Sequence, residues 1–133
     1  MKSILILFTV ICLVSFSYKK NNSSSANTID IKGSWELKQY SGGISYQVIV
    51  PKDSIVYVFQ TPGKYLLVTN NALTAAGSYE ITKSPDTYHY DPEVINLLET
   101  NGNKTIYGIR LKSDSLFLSD GCCDGYNYIY TKK

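Results

Sequence analysis

From Ile29 onward the chain alternates apolar and polar positions over short stretches, and turn-forming residues interrupt them at short intervals. A period of two places successive side chains on opposite faces of a strand. The pattern predicts strands at about Gly33–Tyr40, Ile55–Phe59, Tyr65–Thr69, Ser78–Thr82, Val94–Glu99, Thr105–Lys112, Ser115–Leu118 and Tyr126–Thr131. The stretch Ile44–Val50 either adds an early strand or lies across one mouth. Thr61-Pro62-Gly63, Asn101-Gly102-Asn103 and Ser113-Asp114 carry the chemistry of tight reversals, because proline presets φ and glycine or asparagine accepts positive φ. No stretch repeats apolar residues at helical spacing for long, and Pro85 and Pro92 flank the one region that competes.

Eight short strands joined by tight turns imply an antiparallel meander. An open meander leaves two unpaired edges, and closure removes them while burying one face of every strand. The expected fold class is therefore all-β: an antiparallel up-and-down barrel of about eight strands with little or no helix. Alternation puts Trp35 and Leu37 inside with Glu36 and Lys38 outside. It groups Tyr107 with Ile109 and Leu111, Tyr79 with Ile81, Tyr65 with Leu67, and Tyr126 with Tyr128 and Tyr130. On Ile55–Phe59 the inward set is either Ile55, Tyr57 and Phe59 or Val56 and Val58.

Composition narrows the class. The chain has 133 residues, 44% hydrophobic and 13% aromatic, which excludes disorder for the body and suits one modest core. The formal charge is +2, but five lysines lie in the leader, the tether or the last two positions. Between Ile29 and Thr131, 8 basic residues face 11 acidic ones, a net of −3. No nucleic-acid footprint is present.

Lys2 followed by the greasy run Ile4–Phe16 reads as a secretory signal over residues 1–17, cut before Tyr18. The run is too short to span a bilayer, which needs ~20 residues. Cys12 opens an alternative, cleavage before an acylated cysteine, although Ile11 stands where a small residue is expected. The polar, Ser/Asn-rich residues 18–28 read as a flexible tether, and 29–133 as the barrel domain. The expected location is outside the cytoplasm: periplasmic, extracellular or on the cell surface, with membrane attachment only if Cys12 is lipidated.

The opening Gly33-Ser34-Trp35-Glu36-Leu37 resembles the Gly-x-Trp strand that begins lipocalins. Further on, Gly63-Lys64-Tyr65, Gly77-Ser78-Tyr79-Glu80-Ile81, the run Leu116–Gly121 and the closing Tyr126–Tyr130 strand are similar to small bacterial lipocalin-like domains of exported proteins. The likeness covers about Ile31 to Lys133. It implies an up-and-down barrel with an internal pocket. The chain departs from larger lipocalins in having no arginine after the last strand to pack over Trp35; Lys132 is the nearest substitute.

An eight-stranded barrel is just wide enough to be filled by side chains or to hold one small ligand. Trp35, Tyr57, Tyr65, Tyr79 and Tyr107 are therefore either core or the lining of a pocket whose phenols orient a small apolar or amphipathic ligand. The other reading is a side-chain-filled barrel acting as an interaction module for a protein of the cell envelope. Cys122 and Cys123, adjacent in Asp120-Gly-Cys-Cys-Asp-Gly125, are the only cysteines after the leader. Their Cα separation of ~3.8 Å is shorter than disulfides usually span, which leaves a strained vicinal disulfide, a pair of free thiols, an intermolecular bridge or a metal site, and makes a thiol-active, redox function of Cys122 and Cys123 a third functional reading. The one histidine, His89, sits in a Pro-flanked stretch, so neither a zinc ligand set nor a nucleophile–His–acid arrangement is indicated. No cofactor, metal or catalysis is expected. Arg110, the lone arginine, is either an outward residue paired with an acid or a mouth residue for an anionic group.

Overall fold

The computed structural model describes residues 29–84, 91–121 and 124–133. The leader and tether (1–28), Cys12, His89, Cys122 and Cys123 lie outside the described residues. Among those described, nine strands form one antiparallel sheet with no helix: β1 (Gly33–Gly42), β2 (Val48–Ile49), β3 (Ile55–Gln60), β4 (Lys64–Thr69), β5 (Ala72–Lys83), β6 (Glu93–Glu99), β7 (Lys104–Lys112), β8 (Ser115–Ser119) and β9 (Tyr126–Lys132). From β3 onward each pairs with its successor, β1 pairs with β3, and β1 also pairs with β9 from Trp35↔Lys132 to Gly42↔Tyr126. That last ladder closes an eight-strand up-and-down barrel, and two-residue β2 is a short ribbon beside β1 at Tyr40 and Ser41.

The turns follow the sequence chemistry. Gly63 (φ 58°) and Gly102 (φ 93°) take the left-handed positions of their reversals. Ser113 (φ 52°) serves the two-residue turn between Lys112 and Ser115. Asn70 and Asn71 both have positive φ and link Thr69 to Ala72, a hairpin turn of the type asparagine favours. This turn was not read from the sequence, and neither was the first half of β5 that follows it. Ala72, Ala75, Ala76 and Gly77 have weak strand propensity, yet the stretch is held by the β4 ladder from Ala72 to Ser78, with β6 joining on the other side from Gly77 onward.

Two bulges reset the alternation. One falls between Leu37 and Gln39, so Trp35 and Leu37 point inward but the next inward residue is Tyr40, opposite Tyr128. The other lies at Thr74, whose hydroxyl donates to the Leu67 carbonyl at 3.1 Å. On β3 the inward set is Ile55, Tyr57 and Phe59. The core runs through the lumen, from Ile31, Trp35 and Phe59 at one end to Tyr57, Leu97 and Tyr130 further along.

The segment Ile44–Val50 adds a short early strand, as one of the two sequence readings had it: Val48 and Ile49 pair with Ser41 and Tyr40 of β1. Ile44, Tyr46, Val48 and Val50 are exposed, Ile44 at 90%. Its return to β3 is clamped by Asn70, which donates from its amide nitrogen to Ser54 O (2.8 Å) and from Nδ2 to Asp53 Oδ1 (2.8 Å) while accepting from Ser54 N–H (3.0 Å).

Candidate functional site: the barrel interior

One end of the barrel is a floor. Trp35 is 1% exposed. Its indole Nε1–H donates to the Ile31 carbonyl at 2.7 Å, so its one polar group is satisfied by the chain that crosses that end. Lys132 is its cross-strand partner and places Nζ over the ring, 5.7 Å from the centroid. A lysine thus occupies the place that the family resemblance leaves without an arginine. Phe59, with Tyr79 edge-on at 5.0 Å, and Leu116 complete the packing there.

Above the floor lies a tier of tyrosines. Tyr57 stacks on Phe59 at 5.4 Å and meets Tyr65 at 5.9 Å and Tyr130 at 5.5 Å. Tyr57, Tyr65 and Tyr130 are 8%, 2% and 4% exposed. None of their hydroxyls makes a hydrogen bond to another described residue, although buried hydroxyls normally find a partner. Burial raises the pKa values of Tyr57 and Tyr130 well above the ordinary phenol value, and neighbouring tyrosines add to the shift: Tyr107, Tyr65 and Tyr128 around Tyr57, and Tyr57, Tyr107 and Tyr128 around Tyr130. The rings of Tyr57, Tyr65 and Tyr130 meet in one region of the lumen. On the neighbouring strand, Ala75 and Gly77 of β5 pair with Leu67 and Tyr65, and the β6 backbone approaches Gly77 so closely that a Cβ there would clash with Leu98 O.

The far end is a mouth. Tyr40, Tyr107 and Tyr128 are half-buried, and Tyr126 is exposed. Tyr40 and Tyr128 lie 6.1 Å apart, Tyr126 is 6.0 Å from Tyr40, and Tyr107 meets Tyr128 edge-on at 5.8 Å. The register adds two acids to the same face. Glu99 pairs with Gly77 two positions beyond inward Leu97. Asp120 continues the parity of inward Leu118, and its backbone N–H donates to the Tyr126 carbonyl at 2.9 Å. Burial raises the phenol pKa values of Tyr107 and Tyr128, and for both the next contribution is the Asp120 carboxylate. A shallow depression of about 170 Å³ opens on this rim, lined by Thr74, Ala75, Ala76, Glu99, Thr100 and Asn101.

All five aromatic residues singled out from sequence, Trp35, Tyr57, Tyr65, Tyr79 and Tyr107, point into the lumen. The structure adds Tyr40, Tyr128 and Tyr130 and the rim acids Glu99 and Asp120. Glu99 was within reach of strict alternation, since Ile95, Leu97 and Glu99 share parity. Tyr40 was not, because no sequence signal announces the bulge that turns it inward.

Arg110 points away from this site. Its Nε lies 2.7 Å from Asp91 Oδ1, while Ser119 Oγ donates to Asp91 Oδ2 at 2.8 Å. Buried Asp91 lies directly over Gly108, where a Cβ would come within 2.6 Å of Asp91 Oδ2. Arg110 is thus the outward, acid-paired residue of the two roles considered. Among the described residues, no group of three or more His, Cys, Asp or Glu side chains comes together as a metal ligand set.

The fold, once described, has a counterpart among solved structures. A lipocalin-like protein from Bacteroides uniformis superimposes with a TM-score of 0.56 at 19% identity, covering 79% of this chain and all of that one. The barrel here is thus lipocalin-like in fold. A de novo designed fluorescence-activating β-barrel aligns more loosely, with a TM-score of 0.43 at 15% identity over 77% of this chain and 93% of the design. No protein family and no curated protein matches the sequence.

Proposed function

We propose that this chain is an exported, non-catalytic barrel that holds one small apolar or amphipathic ligand between the Trp35 floor and the tyrosine mouth. The observation that carries this reading is the set of buried phenol hydroxyls on Tyr57, Tyr65 and Tyr130 with no hydrogen bond to a described residue. A buried polar group left unpaired costs about 1–3 kcal/mol. Three in one region favour a visitor that supplies partners. The surrounding aromatic and aliphatic wall supplies affinity at ~25 cal/mol per Å² of apolar surface removed from water. Trp35 closes the chamber and Tyr57, Tyr65, Tyr79 and Tyr107 line it. Export rests on the leader-like run Ile4–Phe16 and the polar tether after it.

Native mass spectrometry of the protein purified from its own source tests this. A mass increment that survives desalting and is released on denaturation is the expected result. A bare chain mass, together with failure of added octanol to bind, would overturn it.

A second reading has its own observation. Ile44, Tyr46, Val48 and Val50 form an exposed apolar ribbon beside the mouth. Contiguous exposed apolar surface marks contact sites, which favours a protein of the cell envelope as an additional or alternative partner.

A further inference from the structure

The proposed ligand site has a polarity that the register reveals. Among the described residues, inner-face positions at the mouth carry two carboxylates, Glu99 at the end of β6 and Asp120 just past β8, and no base. The described basic residues that share the inner face, Lys83 and Lys132, sit at the floor end; Lys83 stands opposite Glu93 in the β5–β6 ladder and Lys132 covers Trp35. Arg110 is outside and held by Asp91. Round the wall, Tyr107 on β7 stands between the two acids, and the rings of Tyr126 and Tyr128 on β9 and of Tyr40 on β1 follow beyond Asp120, with centroid separations of 5.8–6.2 Å. Deeper still are the unpartnered hydroxyls of Tyr57 and Tyr130, each more than nine-tenths buried.

The acids are only partly engaged by the protein. Asn101 and Asn103 both donate to the same Glu99 oxygen, Oε2, at 2.8 and 3.4 Å, and Oε1 has no bond to a described residue. Asp120 accepts the Tyr126 N–H on Oδ2 at 3.1 Å, and Oδ1 likewise has none. Aromatic faces attract cations through their quadrupole, and flanking carboxylates add to that field. An anionic head at this rim would meet two like charges and no compensating base among the described inner-face residues, which disfavours it.

We infer that the mouth selects a ligand bearing a positively charged group, an organic ammonium seated among Tyr40, Tyr107, Tyr126 and Tyr128 on the rim that also carries Glu99 and Asp120, with its apolar remainder in the lumen. This rests on the ligand-holding reading above and gives that ligand its charge. The phenols contribute ring faces, and their oxygens accept hydrogen bonds from a protonated amine. Selection for an ammonium over a carboxylate of the same chain length then follows from the rim, while burial of the alkyl chain follows from the lumen.

The two contributions separate in one titration set on the intact protein by calorimetry at neutral pH: octyltrimethylammonium, octanol and octanoate, all well below micelle formation. The expected order is the ammonium tightest and the carboxylate weakest, with the two ions apart by about tenfold or more. In E99Q/D120N that gap shrinks to about twofold while octanol binding is unchanged, and added salt narrows the gap in the parent protein. Y128F keeps most of the ammonium preference, because the ring stays, and Y128A loses it. Octanoate binding as tightly as the ammonium, or a preference that survives E99Q/D120N, overturns the inference while octanol binding still upholds the container. Failure of all three to bind sinks both. Circular dichroism of each variant confirms that it folds.

Discussion

The two ends of this barrel are built from the same residue types and solve different problems. At the floor, the buried polar atom of Trp35 is accounted for: its indole N–H is bound to Ile31 O, and the ring is covered by Lys132. Toward the mouth the same aromatic density is kept, but the hydroxyls of Tyr57, Tyr65 and Tyr130 have no hydrogen bond to a described residue, and the rim rings are half-open to solvent. A packed, satisfied cluster contributes stability; a packed, unsatisfied one gives some up. The contrast teaches that aromatic content alone does not separate core from site, and that the fate of the polar atoms does.

The sharpest way to break the comparison is at the floor. Trp35→Ala should destabilise the protein by ~3–5 kcal/mol, a large fraction of a typical domain's ~5–15 kcal/mol. Denaturant titration reads this directly, and a loss below ~1 kcal/mol would mean that Trp35 does not anchor the core.

Alkaline pH probes the opposite end. Tyr57 and Tyr130 are phenols whose folded-state pKa values lie above the unfolded value of about 10. An acid raised in this way is favoured neutral in the fold. Its stabilisation is complete below about pH 10 and declines as pH climbs from there toward the folded value, by up to ~1.4 kcal/mol per pH unit per group. Phenolate absorbance should therefore show these two tyrosines ionising together with unfolding. Independent ionisation near pH 10 in the folded protein would remove them from the buried tier.

Tyr130→Phe sharpens the contrast further. Because it deletes a hydroxyl with no hydrogen bond to a described residue, stability of the ligand-free protein should hold or rise by up to ~1 kcal/mol, while octanol affinity falls. Thermal denaturation and calorimetry check the pair; a clear loss of stability without ligand would show the hydroxyl to be satisfied after all. The smallest effect belongs to the ribbon beside the mouth. Ile44→Ser and Val50→Ser touch exposed positions, and their stability should stay within ~0.5 kcal/mol of the parent. A larger drop would show that the ribbon packs on the barrel.

Much of the wall was legible in the residue order because strand burial imposes a strict period. Gly33–Tyr40 extended to Gly42, and Ser115–Leu118 to Ser119, are adjustments at the ends. The exceptions have identifiable causes. The start of β5 is Ala- and Gly-rich, so its strand character comes from its ladder with β4 rather than from its own propensity. The choice on β3 between Tyr57 and Val56 was ambiguous because both parities are apolar; the ladders with β1 and β4 resolved it. Arg110 and its acid are 19 positions apart, a pairing that strand alternation cannot anticipate.

What the sequence by itself determined is the architecture: alternating apolar positions, punctuated by Pro, Gly, Asn and Ser turns, leave a meander whose exposed edges are relieved by joining its ends. What only the tertiary structure decided is the character of the interior. Which tyrosine hydroxyls go without partners, which acids reach the rim and where Tyr40 turns inward depend on strand register and on two bulges. Those are set jointly by residues far apart in the chain, and a one-residue shift in either strand of a pair exchanges its inside for its outside.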